Sequence, residues 1–157
     1  MADYDAKSCS KTMPITLDAA LAADNTPVAI DTSGYRSVII QTNVGIGGIT
    51  FSASNKIEFV LSHGSTSSYG SSTPVAAADV VMPYGEAWAT GGIIRSLIAA
   101  HAAVDAEVHT VGYIGKERYI FLLMDFSGTH GVGTPIATQA VLGHADVEPI
   151  WQASIEV

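Results

Sequence analysis

Residues Val108 to Phe126 read VHTVGYIGKERYIFLLMDF, which is the densest run of strand-forming residues in the chain. The dipeptide Gly115-Lys116 fits a two-residue turn whose first position needs a positive φ, a conformation that glycine adopts without strain. The stretch therefore predicts a β-hairpin. Its register would pair Ile114 with Glu117, Tyr113 with Arg118, Gly112 with Tyr119, and Val111 with Ile120.

Two side-chain contacts would support this hairpin. The Tyr119 ring would cover the bare backbone of Gly112, as aromatic residues do opposite strand glycines. The Arg118 guanidinium would lie on the Tyr113 ring as a cation–π contact. Both contacts depend on the predicted register.

Alternation along the two predicted strands places large apolar side chains on both faces of the hairpin. One face carries Val108, Ile114, Tyr119, Phe121 and Leu123, and the other carries Val111, Tyr113, Ile120, Leu122 and Met124. Exposing either face would cost on the order of 10 kcal/mol, at roughly 1.5 to 3 kcal/mol per large side chain. We therefore expect a second sheet to cover one side, and a helix, an arm or another subunit to cover the other.

Further short strands are predicted along the chain after residue 27, separated by Gly, Ser, Asn and Asp turns. They include 35–45, 49–54, 57–63 and 135–144, while 93–104 has alanines that favour helix but punctuation that favours an extended segment, which we prefer. Many short strands and few helical patterns predict an all-β fold, an antiparallel β-sandwich of jelly-roll type. We expect residues 1–26 to form an extended N-terminal arm and residues 27–157 a single domain.

The composition restricts the classes of partner. The chain has 157 residues, 48% hydrophobic and only 14% charged, and its formal net charge is −8. This size predicts one domain, and the low share of charge hints at buried association surfaces. The seven Lys and Arg residues are scattered, so no basic patch predicts a nucleic-acid partner.

The one cysteine, Cys9, cannot form an intramolecular disulfide, which is typical of a protein from a reducing compartment. The N-terminal sequence lacks a cationic stretch followed by an apolar one, so no signal peptide is predicted. The longest apolar segment, 93–104, contains Arg95 and His101 and is too short to cross a bilayer. We expect synthesis in the cytoplasm and no membrane partner.

No catalytic, metal or cofactor site emerges from the motifs. The five histidines show no zinc spacing, and the glycine runs lack the spacing of phosphate-binding loops. Asp125, Ser127 and His130 are close in sequence, but a catalytic triad requires convergence in space and no nucleophile elbow is present. The sequence therefore predicts no enzyme and no cofactor.

A resemblance adds to this interpretation. The segment 96–143 contains GYIGKERY at 112–119, a Gly-Thr loop and a strand that ends one residue further on in VLGH at 141–144, and in these features it resembles small head-associated structural proteins of tailed bacteriophages. The stretches DTSGYRSV at 31–38 and FVLSH at 59–63 fit the same pattern. The resemblance covers most of the chain after residue 27.

The resemblance implies a decoration or cement protein on the outer surface of a capsid. Its partners would be a major capsid protein of the HK97 type and further copies of itself, as a dimer or trimer, in the virion. A neck or tail component, or a carbohydrate-binding attachment module using loops 63–73 and 127–134, is the alternative. The residues predicted at interfaces are Tyr113, Arg118, Tyr119 and Trp151, because aromatic residues and arginine anchor buried contacts; for Tyr119 a place in the internal core is an equal alternative.

Overall fold

A computed structural model describes residues 9–45, 49–99 and 108–146 of the chain. They form two antiparallel sheets, A and B, that face each other. The strands are β1 (Lys11–Leu21), β2 (Ile30–Asp31), β3 (Tyr35–Val44), β4 (Lys56–Gly64), β5 (Thr73–Pro74), β6 (Val80–Val81), β7 (Ile93–Leu97), β8 (His109–Tyr113), β9 (Tyr119–Ser127) and β10 (Thr134–Ala145).

Sheet A has the strand order β1-β10-β3-β8-β6, and sheet B has the order β2-β9-β4-β5, with β7 also paired to β4. The antiparallel pairs are nested along the chain: β1 with β10, β2 with β9, β3 with β8, and β4 with β7. A chain that doubles back on itself in this way and is then rolled into two sheets is a jelly roll. The predicted all-β sandwich of jelly-roll type is confirmed.

The core lies between the two sheets and is built by simple alternation. In β3 the buried positions are Val38, Ile40, Thr42 and Val44, and in β10 they are the even-numbered residues from Thr134 to Leu142. Sheet B contributes its own inward side chains, and the largest fully buried ones include Phe59, Leu61, Ile120, Leu122 and Met124. This layer accounts for one of the two apolar faces of the 108–126 stretch.

The predicted hairpin over 108–126 is wrong. Strand β8 pairs with β3 and β6 in sheet A, whereas β9 pairs with β4 and β2 in sheet B. The connection between them, residues 114–118, crosses from one sheet to the other. The ladder of β9 with β4 runs along all of β4, from Lys56 to Gly64, so it offers far more pairing than the short predicted hairpin.

Gly115 therefore has a different role from the one predicted. It is not among the glycines with positive φ, and a side chain there would collide with the ring of Tyr113. The neighbouring backbone bonds to other segments, since the Ile114 N–H donates to Asp79 O at 2.8 Å. The glycine makes room for a buried tyrosine where the chain leaves sheet A.

The apolar set that contains Val108, Ile114 and Phe121 is only partly covered. On β9, the outward-facing Phe121 is buried beneath Tyr69, with ring centroids 5.7 Å apart. Tyr69 belongs to the loop 65–72, so a loop of the same chain supplies the cover that we expected from a helix, an arm or another subunit. Val108 and Ile114 remain exposed.

The N-terminal arm predicted for residues 1–26 is, over Lys11–Leu21, strand β1 of sheet A. It is extended, as one of the two alternatives held, but it pairs with β10 along its length and so belongs to the sandwich. The predicted strand at 49–54 does not form, whereas Ile93–Leu97 is extended as preferred. No helix in the described ranges is long and apolar enough to cross a membrane.

Candidate interaction surface

The outer side of sheet A carries a set of uncharged residues that we call the neutral face. It is defined by three rows that cross the strands at matching register positions. The first row is Thr12, Val141, Ile39, Gly112 and Val81, and the second is Pro14, Gln139, Gln41 and Thr110. The third pairs Ala137 with Asn43, and Val108, the residue before β8, lines the same groove. None of these twelve residues is charged, in a chain whose net charge is −8.

The first row is aliphatic and forms a ridge. Ile39 and Val81 are 41% and 54% exposed, and Val141 is half-buried beside Ile39. Gly112 lies between Ile39 and Val81 and adds no side chain to the row; a Cβ there would lie 3.3 Å from Val81 Cβ. Exposed aliphatic side chains that adjoin one another in this way are typical of an interaction surface.

The second and third rows line a groove that combines amide and apolar side chains. Gln139 Nε2 donates to Gln41 Oε1 at 2.5 Å, which fixes the two amides side by side across β10 and β3. A shallow groove of about 310 Å³ lies beside them, with Pro14, Asn43 and Val108 in its lining. The ridge and the groove of the neutral face thus run parallel to each other across the strands. Neighbouring rows are two residues apart along each strand, so the ridge and the groove are separated by roughly 7 Å or more.

The outer side of sheet B is different in chemistry. Lys56 Nζ pairs with Glu58 Oε2 at 2.6 Å, and Asp125 stands opposite Glu58 on the neighbouring strand. Charged side chains facing outward are ordinary for a solvated sheet. The twelve residues of the neutral face therefore differ in charge from the outer side of sheet B.

The free edge of sheet A beside the neutral face is irregular. Strand β1 contains Pro14, which offers no backbone N–H, and its register against β10 breaks between Pro14 and Thr16 and again between Thr16 and Ala19. Prolines and bulges on an edge strand oppose the addition of another strand. Contact through the face is favoured over pairing at this edge.

Tyr113, predicted at an interface, lies in the core. It is 3% exposed, its hydroxyl lies 3.0 Å from His63 Nδ1, and it accepts a hydrogen bond from the Glu117 N–H at 3.3 Å. Burial raises the pKa of Tyr113 to about 12. A residue so placed has no surface for a partner, so we assign Tyr113 to the core of the monomer.

Arg118 and Tyr119 lie where the chain enters sheet B. Arg118 donates to both carboxylate oxygens of Asp31, at 3.0 and 2.7 Å, and this hydrogen bonding holds the pKa of the Asp31 carboxyl below its usual value. The guanidinium lies 5.0 Å from the centre of the Tyr119 ring, and not over Tyr113 as predicted. Arg118 is exposed and Tyr119 half-buried, whereas Trp151 lies outside the described residues.

A polar row crosses the interior of sheet A. Thr138, Thr42 and His109 occupy matching inward positions on three strands, and Arg95 from sheet B donates to Thr42 Oγ1 at 3.0 Å. His109 Nε2 lies 2.9 Å from Glu86 Oε2, whereas Thr138 Oγ1 and His109 Nδ1 have no hydrogen-bond partner within residues 9–45, 49–99 and 108–146. Buried polar atoms without hydrogen-bond partners lower the free energy of unfolding, so this row stabilises the core less than an apolar row would.

A serine and a histidine meet at the surface near the start of β3. Ser37 Oγ and His144 Nδ1 lie 2.8 Å apart, and His144 has a positive φ of 53°. The nearby carboxylate of Asp146 accepts a 2.6 Å hydrogen bond from Arg36 Nε. Among the described residues no carboxylate is bonded to the His144 imidazole, so the pair does not make a catalytic triad.

The two loops considered for carbohydrate binding do not meet. Tyr69 of the first loop packs on Phe121, whereas His130 of the second packs on Phe126, with centroids 4.8 Å apart. Phe121 and Phe126 are five residues apart on β9, which is roughly 16 Å. His130 is also buried and its Nε2 bonds to Ser127 O, away from Asp125.

The described residues contain no group of three or more His, Cys, Asp or Glu side chains able to hold a metal ion. Comparison of the chain with known protein families, with curated proteins and with solved structures gave no match.

The neutral face was not predicted, although the sequence contains a signal for it. In residues 35–44 and 134–143 the buried positions are even-numbered, and the odd-numbered positions that alternate with them include no Lys, Arg, Asp or Glu. A strand exposed to water on one side normally carries charge at some of those positions. The register that joins the two strands was needed before these positions could be recognised as one surface.

Proposed function

We propose that the chain is a structural protein of a tailed-bacteriophage virion, a decoration or cement protein that binds the outside of a shell of HK97-type major capsid proteins and stabilises it. Its copies would associate with one another on that shell. The observation that carries this proposal is the neutral face, because a charge-free, partly aliphatic sheet face on a strongly acidic chain fits burial in an assembly.

Two further features support the proposal. The resemblance of segments 31–38, 59–63 and 96–143 to head-associated phage proteins supplies the class of assembly. The jelly roll itself suits it, because this fold serves as a building unit of viral shells as well as of lectins. Fold alone does not imply function, so the proposal depends on the surface.

Arg118 and Tyr119 are the residues that we propose for the contact with the shell. They are accessible in the folded chain, the arginine is oriented by Asp31, and arginine and tyrosine are the residue types enriched at the centres of interfaces. They lie at the 114–118 crossover and not among the rows of the neutral face. Shell contact and self-association would thus use different parts of the molecule.

Heat resistance of particles tests the proposal. Particles assembled without this chain should form shells of unchanged geometry that lose their contents at a lower temperature, and adding the purified chain should restore the wild-type temperature by linkage. Bovine serum albumin at the same concentration is the control. Particles whose heat resistance does not depend on the chain would contradict a cement role, and binding at one vertex only would indicate a neck or tail component.

A further inference from the structure

We infer that two copies of this chain pack against each other through their neutral faces, about a two-fold axis that lies parallel to sheet A and runs across its strands. The inference rests on the proposed assembly function and deepens it, because it names the surface and the symmetry of self-association. It selects a dimer over a trimer as the unit that forms in solution.

Charge identifies a second copy as the occupant. Each chain has a net charge of −8, so two copies repel unless the surfaces that meet are free of carboxylates. A basic partner would be met best by a face that displays acidic residues, as around Glu58 and Asp125 on sheet B. None of the twelve residues that define the neutral face is acidic, which suits a partner with the same acidic charge.

The shape of the face is self-complementary. The ridge at Ile39 and Val141 and the groove beside Gln41 and Asn43 lie on either side of one line across the same strands. A two-fold axis that runs along that line, parallel to sheet A, places the ridge of each copy in the groove of the other. An interface related by a two-fold axis requires this kind of surface, in which one patch contains both halves of the contact.

The amides at the centre strengthen the argument. Gln41 and Gln139 bond to each other within one chain, and an amide has more donors and acceptors than that single bond uses. An axis along the row of Gln41 and Gln139 brings each amide to the same amide of the second copy, and an amide carries both donors and acceptors for such a contact. The irregular edge at Pro14 disfavours the competing arrangement, in which two sheets would join edge to edge.

Sedimentation velocity of the full chain, from 10 nM to 100 μM, tests the inference. We expect the wild type to dimerise reversibly and Ile39→Glu to weaken the dimer at least 100-fold, because it buries a carboxylate in the partner's groove. Val132→Glu is the matched control, since Val132 is 85% exposed in the loop 128–133, away from the neutral face, and it should leave the dimer unchanged. Circular dichroism and thermal melting establish that each variant is folded.

A charge pair tests the two-fold geometry itself. Ile39→Lys and Asn43→Glu should each weaken the dimer, and the double variant should restore it at least tenfold, because residue 39 of one copy meets residue 43 of the other. Within one chain the two positions are four residues apart on β3, roughly 13 Å, too far to pair. The inference would be overturned if the wild type stays monomeric at 100 μM, forms a trimer, or dimerises as well with Ile39→Glu as without it. It would also be overturned if the double variant stays dissociated.

Failure of the dimer and failure of the proposed function give different experimental results. A monomeric wild type that still binds particles would overturn the dimer and leave the shell protein standing. A wild-type dimer that ignores particles would do the reverse.

Discussion

Oδ1 of Asn25 accepts a 2.6 Å hydrogen bond from the backbone N–H of Met124, while its Nδ2 donates to the carbonyl of Leu122 at 3.1 Å. One side chain thus takes the place of a strand on the outer edge of β9, where β2 pairs only at Tyr119 and Ile120. Asp24 continues the edge by accepting from the Phe126 N–H at 2.7 Å. An edge closed in this way is protected against pairing with another chain.

Asn25→Ala should lower the free energy of unfolding by about 1 to 3 kcal/mol, because it leaves a backbone donor and an acceptor of β9 without their partners. Urea unfolding measures the change. Thr26→Ala, at the exposed neighbouring position, is the control and should stay within about 0.5 kcal/mol of wild type. Equal stability of the two variants would show that water replaces the amide without cost.

Tyr113→Phe should change how stability depends on alkaline pH. The pKa of Tyr113 is raised to about 12 by burial, above its ordinary value of 10, so the folded state retains the phenol proton more strongly than the unfolded state does. Its contribution is full below pH 10 and is lost as the pH rises towards 12. The wild type should therefore lose more stability than the variant between pH 10 and 12.

The same variant should be less stable than wild type at pH 7 by about 1 kcal/mol, through loss of the hydroxyl contacts with His63 and Glu117. Tyr84→Phe, at a fully exposed tyrosine, is the control for alkaline effects shared by all tyrosines. Parallel stability curves for wild type and Tyr113→Phe from pH 10 to 12 would contradict the buried, neutral phenol.

Thr138→Val should raise the free energy of unfolding by about 1 kcal/mol, because Thr138 Oγ1 is buried and has no hydrogen-bond partner in the part of the chain that the structure describes. Thr42 occupies the adjacent position in the same row but accepts a hydrogen bond from Arg95, so Thr42→Val should destabilise the fold. Thermal unfolding of both variants measures the contrast. A loss of stability in Thr138→Val would mean that its hydroxyl is satisfied in solution.

Arg118→Ala should weaken binding to particles that lack the chain by at least tenfold, because it removes the arginine that we propose at the centre of the shell contact. Arg36→Ala is a matched control: Arg36 is also an exposed arginine bonded to a carboxylate, that of Asp146. Co-sedimentation with particles measures both. If the two variants bind alike, Arg118 has no special part in attachment.

The fold class could be predicted from the sequence because it depends on local patterns. Alternation in β3, β4 and β10 identified three long strands within a few residues of their ends, and the lack of helical periodicity excluded other architectures. Pairing partners are not local. Gly115 looked like a hairpin turn because glycine at a turn and glycine beneath a tyrosine ring are identical in a sequence.

The surface was harder to predict than the fold for the same reason. Tyr113 and Arg118 are equally plausible anchors by residue type, but only the crossover at 114–118 decides that the first points into the core and the second into solvent. Ile39 and Gln139 are ordinary strand residues until the register of β3 against β10 places them in one charge-free face. Chemistry spread over several strands becomes visible only with the sheet.

Cryo-microscopy of the intact particle tests the central claim most directly. We predict hundreds of copies on the outside of the shell, joined in pairs across local two-fold axes through the rows of Ile39 and Gln41, with Arg118 directed to the capsid protein. Six or twelve copies confined to one vertex, or a particle without the chain, would contradict the account.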